Sequence, residues 1–226
     1  MPDKERLGCD MRPIQLILLG APGAGKGTQA SVISEKYHIP TISTGALIRE
    51  AIARQTPLGM SAKKYIDAGA LVPDQVVIDM IQDRLSQPDC AAGFILDGFP
   101  RTVPQAQALE EMGVSITDVI SIEVPDEEIQ KRMEGRRICS VCGATFHVEH
   151  NPSPAGDRCP CGGMLTVRSD DDPAVGASRL ATYHSMTEPL KEYYAKKGLL
   201  KIVQGQKQIA DTTAHTLAAL ASRGGR

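Results

Sequence analysis

The strongest constraint in this sequence is the join between an apolar run and a glycine-rich turn, QLILLGAPGAGKGT at 15–28. The run is too short for a buried helix and lacks polar alternation, so it reads as a strand buried on both faces. The glycines that follow let successive backbone N–H groups turn inward at the amino end of a helix, which makes an anion nest. Lys26 adds a point charge to it. Strand, turn, lysine, and a helix opening at Gly27 or Thr28 together fit the phosphate-loop pattern. The strict pattern has serine or threonine directly after the lysine as a magnesium ligand, but Gly27 stands there and Thr28 comes one residue later. Magnesium keeps several of its waters, so here it is expected to rest on nucleotide phosphates, waters and a carboxylate. Asp97, closing the apolar run FILD at 94–97, is the candidate.

FILD, VISIEV (119–124) and LLKIV (199–203) are further short apolar runs that read as strands buried on both faces, and TIS (41–43) is a fifth, shorter strand. Helical patterns separate them, such as Val77, Ile78, Ile81 and Leu85 after a possible cap at Asp74. Strands alternating with helices imply an α/β fold with a five-stranded parallel sheet and crossover helices. Two segments break the rhythm. Residues 43–72 run helical and end at Gly69 and Pro73, which suggests a helical insertion. Residues 135–171 hold four cysteines, several glycines and prolines and little periodicity, as a small stapled unit would. Asp172 followed by Pro173 looks like a helix start, and Pro189 should kink or break the helix that contains it.

With 226 residues, 42% hydrophobic and 23% charged, the chain can bury a real core and has an ordinary globular composition. A net charge of -2 argues against a general nucleic-acid binder. Apolar runs stay well short of the roughly 20 residues that span a bilayer. The first residues, MPDKERLGCDMRP, lack the apolar core of a secretory signal. The expectation is a cytoplasmic protein without membrane or nucleic-acid partners, with 1–13 a mobile extension and Met11 an alternative start.

Cys139 and Cys142, then Cys159 and Cys161 after sixteen residues, read as a four-thiolate metal site. Soft ligands and tetrahedral preference favour Zn²⁺, with iron the weaker alternative and His147 a reserve ligand. Four protein ligands leave no open position for substrate, so the role expected is structural. Cys9 and Cys90 stand alone and read as ordinary thiols.

GAPGAGKGT, STG, LDGFPRT and GRR occur in that order. In these motifs the chain resembles the nucleoside monophosphate kinases, most closely the bacterial adenylate kinases with a metal-stapled lid. The resemblance runs from about Ile14 to the carboxyl-terminal helix, and this family uses the GKGT form of the loop. It implies a P-loop kinase fold with a core at 14–42, 73–134 and 172–226, an AMP-binding domain at 43–72 and a lid at 135–171. It further implies that Gly23, Ala24, Gly25, Lys26, Gly27 and Thr28 cradle ATP phosphates and that Arg132 stacks on the ATP adenine. Thr145, Phe146 and the backbone of Lys207 would finish that pocket. Thr44, Arg49, Leu71, Val72, Gly98, Phe99, Pro100, Arg101 and Gln105 would hold AMP, while Arg136, Arg168 and Arg179 grip phosphates. Three features depart from the family: Ala46 replaces the acid of STGD, DDDPAVGASR (170–179) lacks the Glu-Thr-Val run common in it, and a single Pro160 stands between the last two cysteines where similar kinases usually carry two residues.

Phosphoryl transfer needs alignment and charge stabilisation rather than covalent help, and arginine supplies both. Lys26, Arg101, Arg136, Arg168, Arg179 and Asp97 are the expected catalytic set. Arg132 and Arg136, four apart, would share a helical face if the helix continues that far. Asp170 and Asp171 are expected to steady the arginines by pairing. The attacking group is already an ionised phosphate, so a general base is not required, and the reaction implied is ATP + AMP ⇌ 2 ADP with Mg²⁺ and a monomeric enzyme. A UMP or CMP acceptor is the nearest rival, and the long cysteine-bearing lid argues for AMP. A zinc-ribbon binding module with a nucleotide switch is the rival from another class. The near-neutral charge weighs against it, as does Phe146 being the only Phe, Trp or Tyr in the cysteine region.

Overall fold

The computed structural model describes residues 13–68 and 70–222. Most of the polar extension, with Cys9 and Met11, lies outside the described residues, as does Gly69. Element order is β1 (Ile14–Leu19), α1 (Lys26–Tyr37), β2 (Thr41–Ser43), α2 (Thr44–Ala53), α3 (Pro57–Asp67), α4 (Asp74–Leu85), β3 (Gly93–Asp97), α5 (Val103–Glu111), β4 (Asp118–Glu123) and α6 (Asp126–Glu134). There follow β5 (Arg136–Cys139), β6 (Thr145–His147), β7 (Leu165–Thr166), α7 (Pro173–Thr182), α8 (Pro189–Lys196), β8 (Leu200–Gln204) and α9 (Ile209–Ala221).

Five strands form one parallel sheet in the order β2-β3-β1-β4-β8. β1 lies at its centre, with Ile17 opposite both Leu96 and Val119. Side chains alternate across a strand, so Ile17 and Leu19 join one core with Ile81, Leu109, Leu190 and Tyr194. Leu16 and Leu18 join the other with Ile33, Ile129, Leu180 and Leu220. Helices cover both faces, which is why apolar residues dominate the central strands on both sides, with Ser121 a buried polar exception in β4; each buried aliphatic side chain contributes about 1.5–3 kcal/mol. β8 departs from the expectation of two buried faces. It is an edge strand, with Val203 buried but Ile202 59% exposed.

Between β2 and α4 the chain runs through α2 and α3, which pack on each other. Ser43 and Thr56 cap them, accepting from Ala46 N and Gly59 N. Asp74 opens α4 but does not cap it. Its carboxylate instead accepts from the Thr102 hydroxyl at 3.0 Å and Gln105 Nε2 at 2.6 Å. Donors from α5's first turn thus outcompete the local N–H groups.

The cysteine-bearing segment folds as an antiparallel sheet, β6-β5-β7. α6 ends at Glu134 with Gly135 as its cap, and Arg136 is the first residue of β5. Arg132 and Arg136 therefore do not share a helical face. A Cβ at position 135 would lie 2.3 Å from His147 Nε2, so the helix stops where β6 crosses it and Arg136 pairs with His147 in the ladder. Asp172 caps α7 through Ala174 N, with Pro173 in the first position. The interruption expected near Pro189 is a π turn over Tyr183–Thr187, after which Pro189 opens α8.

Candidate active site

The glycine-rich loop leaves the carboxyl end of central β1 and enters α1. Gly25 precedes that helix with φ 101°, a left-handed conformation that glycine adopts without Cβ strain. Lys26 folds back so that its ammonium donates to Gly20 O at 2.7 Å and Ala21 O at 2.9 Å. Burial lowers its pKa to about 8, against the opposing pull of Asp97 and reinforced by Arg101, Arg179 and Arg136. Asp97 ends neighbouring β3, and a Cβ at Gly27 would lie 3.8 Å from its Oδ2. The carboxylate thus faces the position where a loop hydroxyl would otherwise stand.

GFPRT follows β3 around a tight turn. Gly98 O accepts from the buried Thr44 hydroxyl and from Arg101 Nε, both at 2.8 Å. Phe99 is wholly buried in the core, so this residue offers only backbone to the site, and its peptide bond to Pro100 is cis. Gln105 is buried, accepting from Arg101 N at 2.7 Å. Leu71, in the connection to α4, faces Lys26, Gly98, Arg101 and Arg179 across one cleft, while adjacent Val72 is buried in the core. Burial depresses the Arg101 pKa, partly countered by Asp97.

The remaining arginines come from the segments on either side of the cysteine unit. Arg136 forks onto Asp171, with Nε 2.7 Å from Oδ2. Arg168 forks onto Asp170, and Arg179 Nη1 lies 3.0 Å from Asp170 and 3.3 Å from Asp171. Burial pushes the Asp170 carboxyl upward, but the hydrogen bond and charge of Arg168, with Arg179 and Arg136, hold it at about 2. Arg49 on α2 reaches the same field. Burial, with Arg168 beside it, brings its pKa down to about 10, and burial does the same to Arg179. Six cationic side chains thus form one connected field, which reaches the loop through Arg101, Arg136 and Arg179, against three carboxylates, an excess of positive charge suited to polyphosphate.

Arg132, on α6, donates to Gln206 O at 3.0 Å, which brings it beside exposed Lys207. Thr145 and Phe146 sit on β6, the first exposed and the second half-buried. Neither they nor Arg132 line the cleft of Lys26 and Arg101.

The sulfurs of Cys139, Cys142, Cys159 and Cys161 all lie within 4.8 Å of one another. Their close contacts of 3.4, 3.5 and 3.6 Å approach the edge of about 3.8 Å that a tetrahedron with metal–sulfur bonds of about 2.3 Å requires. Backbone N–H groups of Cys142 and Val141 point at Cys139 Sγ and favour its thiolate. His147 does not belong to this set: its Nδ1 accepts from Glu149 N and His150 N, and its buried Nε2 lies against Gly135. The four sulfurs fit one metal ion.

A family model described as adenylate kinase matches residues 18–199. The chain belongs to the adenylate kinase family. Over 212 residues it is 54% identical to the adenylate kinase of Caldicellulosiruptor bescii, covering 92% of this chain and 99% of that one. It is likewise 54% identical over 212 residues to the adenylate kinase of Acetivibrio thermocellus, covering 92% and 98%. Identity to the adenylate kinase of Methanocella arvoryzae is 50%, again over 92% and 98%.

This adenylate kinase family member has cleft residues that motif reading did not single out. Tyr183 and Thr187 line the same cleft as Arg179, and the Thr187 hydroxyl donates to Arg101 O at 2.9 Å. Their spacing of four and eight after Arg179 was the available sign, because those positions face one way on a continuing helix. Ala46 lies exposed on the first turn of α2 and brings no carboxylate there. Within the atypical stretch before Arg179, Gly176 makes room for Met133, whose Cε would be 3.0 Å from a Cβ at that position.

Proposed function

We propose that this chain catalyses the reversible, magnesium-dependent reaction ATP + AMP ⇌ 2 ADP and so keeps adenine nucleotides in balance. The observation that carries the reading is the gathering of Arg101, Arg136 and Arg179 about Lys26 of the glycine-rich loop, with Arg168 joined to them through Asp170. On this reading Gly23 to Thr28 cradle the ATP phosphates, with Arg132, Thr145, Phe146 and the Lys207 backbone around the adenine. Thr44, Arg49, Leu71, Val72, the backbone of Gly98 to Pro100, Arg101 and Gln105 receive AMP. The guanidiniums of Arg101, Arg136, Arg168 and Arg179 align the two phosphate chains and stabilise charge on the transferred oxygens. Asp97 would hold Mg²⁺ beside the loop, and the ion would supply charge neutralisation to the phosphates.

Residues 14–42, 73–134 and 172–226 act as the core, 43–72 as the AMP-binding domain and 135–171 as a lid. Closure of both over the nucleotides excludes water as a rival acceptor. The cysteine cluster holds Zn²⁺ in a structural role, the unit having little core of its own. The protein acts as a cytoplasmic monomer on small nucleotides, without membrane or nucleic acid. Among the described residues no helix is long and apolar enough to cross a membrane, which is compatible with that setting.

The test is incubation with MgATP and, separately, AMP, GMP, UMP and CMP, with every nucleotide resolved by chromatography. Rapid ADP formation with AMP alone is expected. Preference for UMP or CMP would change the acceptor and keep the fold, and hydrolysis without an acceptor would overturn the reading.

A further inference from the structure

We infer that Asp74 is a positioning residue for recognition of the acceptor base, acting through the amide of Gln105. The inference rests on the proposal that Gln105 belongs to the AMP site. A glutamine amide has two orientations, and its neighbours here have fixed polarity. The Arg101 backbone N–H only donates and lies 2.7 Å from Oε1; the Asp74 carboxylate accepts and lies 2.6 Å from Nε2. Only one orientation satisfies both, and the reverse would set carbonyl against carboxylate and N–H against N–H.

Asp74 is itself anchored. Its other oxygen accepts from the Thr102 hydroxyl at 3.0 Å, and Thr102 accepts from Gln105 N at 3.3 Å as the cap of α5. Asp74, Thr102 and Gln105 therefore close a ring that also holds the backbone of Arg101. With one amide N–H committed to Asp74 and one Oε1 lone pair to Arg101 N, Gln105 keeps its second N–H and one carbonyl lone pair, and the ring fixes which end is the donor that meets the base at N1 or N3. Adenine offers a lone pair at N1, whereas guanine N1 and uracil N3 carry hydrogens. The locked amide thus favours adenine and opposes the other two by setting donor against donor, the costly arrangement for a buried polar pair.

The experiment measures initial rates with AMP, GMP and MgATP for the full chain and four variants. Asp74→Ala should raise KM for AMP about tenfold and narrow the AMP-to-GMP ratio of kcat/KM, while KM for ATP stays within about twofold. Asp74→Asn, whose amide oxygen can still accept from Gln105 and whose NH₂ can donate to Thr102, should recover most of the loss. Gln105→Glu sets two carboxylates together and should lose AMP binding. Adding Asp74→Asn to it relieves that repulsion but leaves an acceptor facing the base, so the double variant should shift preference towards GMP. This arm decides the matter if Asp74→Ala does not fold. Loss of AMP affinity in Gln105→Glu with none in Asp74→Ala, or a double variant with the parental AMP-to-GMP ratio, overturns the inference and leaves the site reading standing. An unchanged KM for AMP in Gln105→Glu removes Gln105 from the AMP site and the inference with it.

Discussion

Asp171, its side chain fully withdrawn from solvent, accepts from two nitrogens of Arg136 and so ties the first residue of β5 to the turn before α7. Neighbouring Asp170 does the same for Arg168 and Arg179. Two acids on consecutive positions thus hold three guanidiniums that would otherwise repel one another, leaving the net positive field for phosphate.

Replacing both acids, Asp170→Asn with Asp171→Asn, should lower turnover by disordering the arginines, and an unchanged rate would refute that role. Stability offers a separate check. Asp170 is held at about 2 against an ordinary 3.8, so its contribution is complete above pH 4 and lost as pH falls towards 2. That difference corresponds to about 2 kcal/mol. Thermal midpoints between pH 5 and 2 should fall less steeply in Asp170→Asn than in the parent.

Lys26 predicts a pH effect on nucleotide binding. Its pKa near 8 means that the free protein begins to lose this charge just above neutrality, while bound phosphates favour the protonated form. ATP affinity should therefore decline by up to about tenfold per pH unit above pH 8, with proton uptake on binding. Calorimetry in buffers of different ionisation enthalpy measures that uptake, and Lys26→Met should abolish both effects. The folded protein itself should gain stability between pH 8 and 10.5, since burying the charged lysine is costly and deprotonation relieves it.

Gly98→Ala tests the joint between the two nucleotide sides. Gly98 has φ 80°, and a Cβ there would meet Thr44 Oγ1 at 2.9 Å and Arg101 Nη2 at 3.0 Å. Strain of about 1–3 kcal/mol should appear as a lower melting temperature, and displacement of Arg101 should raise KM for AMP. Wild-type values for both would show that the turn yields without effect.

The parallel sheet could be read from sequence because its central strands are buried on two faces and carry short runs dominated by apolar residues, without the polar alternation of a half-exposed strand. The glycine-rich turn was equally plain, since its chemistry lies within seven consecutive residues. What escaped depends on distant partners. Asp74 looks like a helix cap until Thr102 and Gln105, 28 and 31 positions later, claim its oxygens. Arg136 looks helical until His147 crosses Gly135. Thr187 reaches Arg101 across 86 residues. Ile202 is as apolar as its neighbours in LLKIV, and only the strand order makes it exposed.

The cysteine unit yields the last prediction. β5, β6 and β7 have four, three and two residues, too few to bury a core, and Val141, Met164 and Val167 of this segment are exposed. Its cohesion must then come from the four sulfurs, whose spacing suits a tetrahedral ion. Elemental analysis of purified protein should find one zinc per chain, and one iron instead would reassign the metal. A strong chelator should produce an early unfolding transition confined to 135–171, read as loss of hydrogen-exchange protection at β5 and β6, while the five-stranded sheet keeps its midpoint. Cys142→Ser should weaken metal retention in the same direction. Protection of β5 and β6 that is identical with and without metal would mean that the Arg136–Asp171 fork, not the ion, holds this unit in shape.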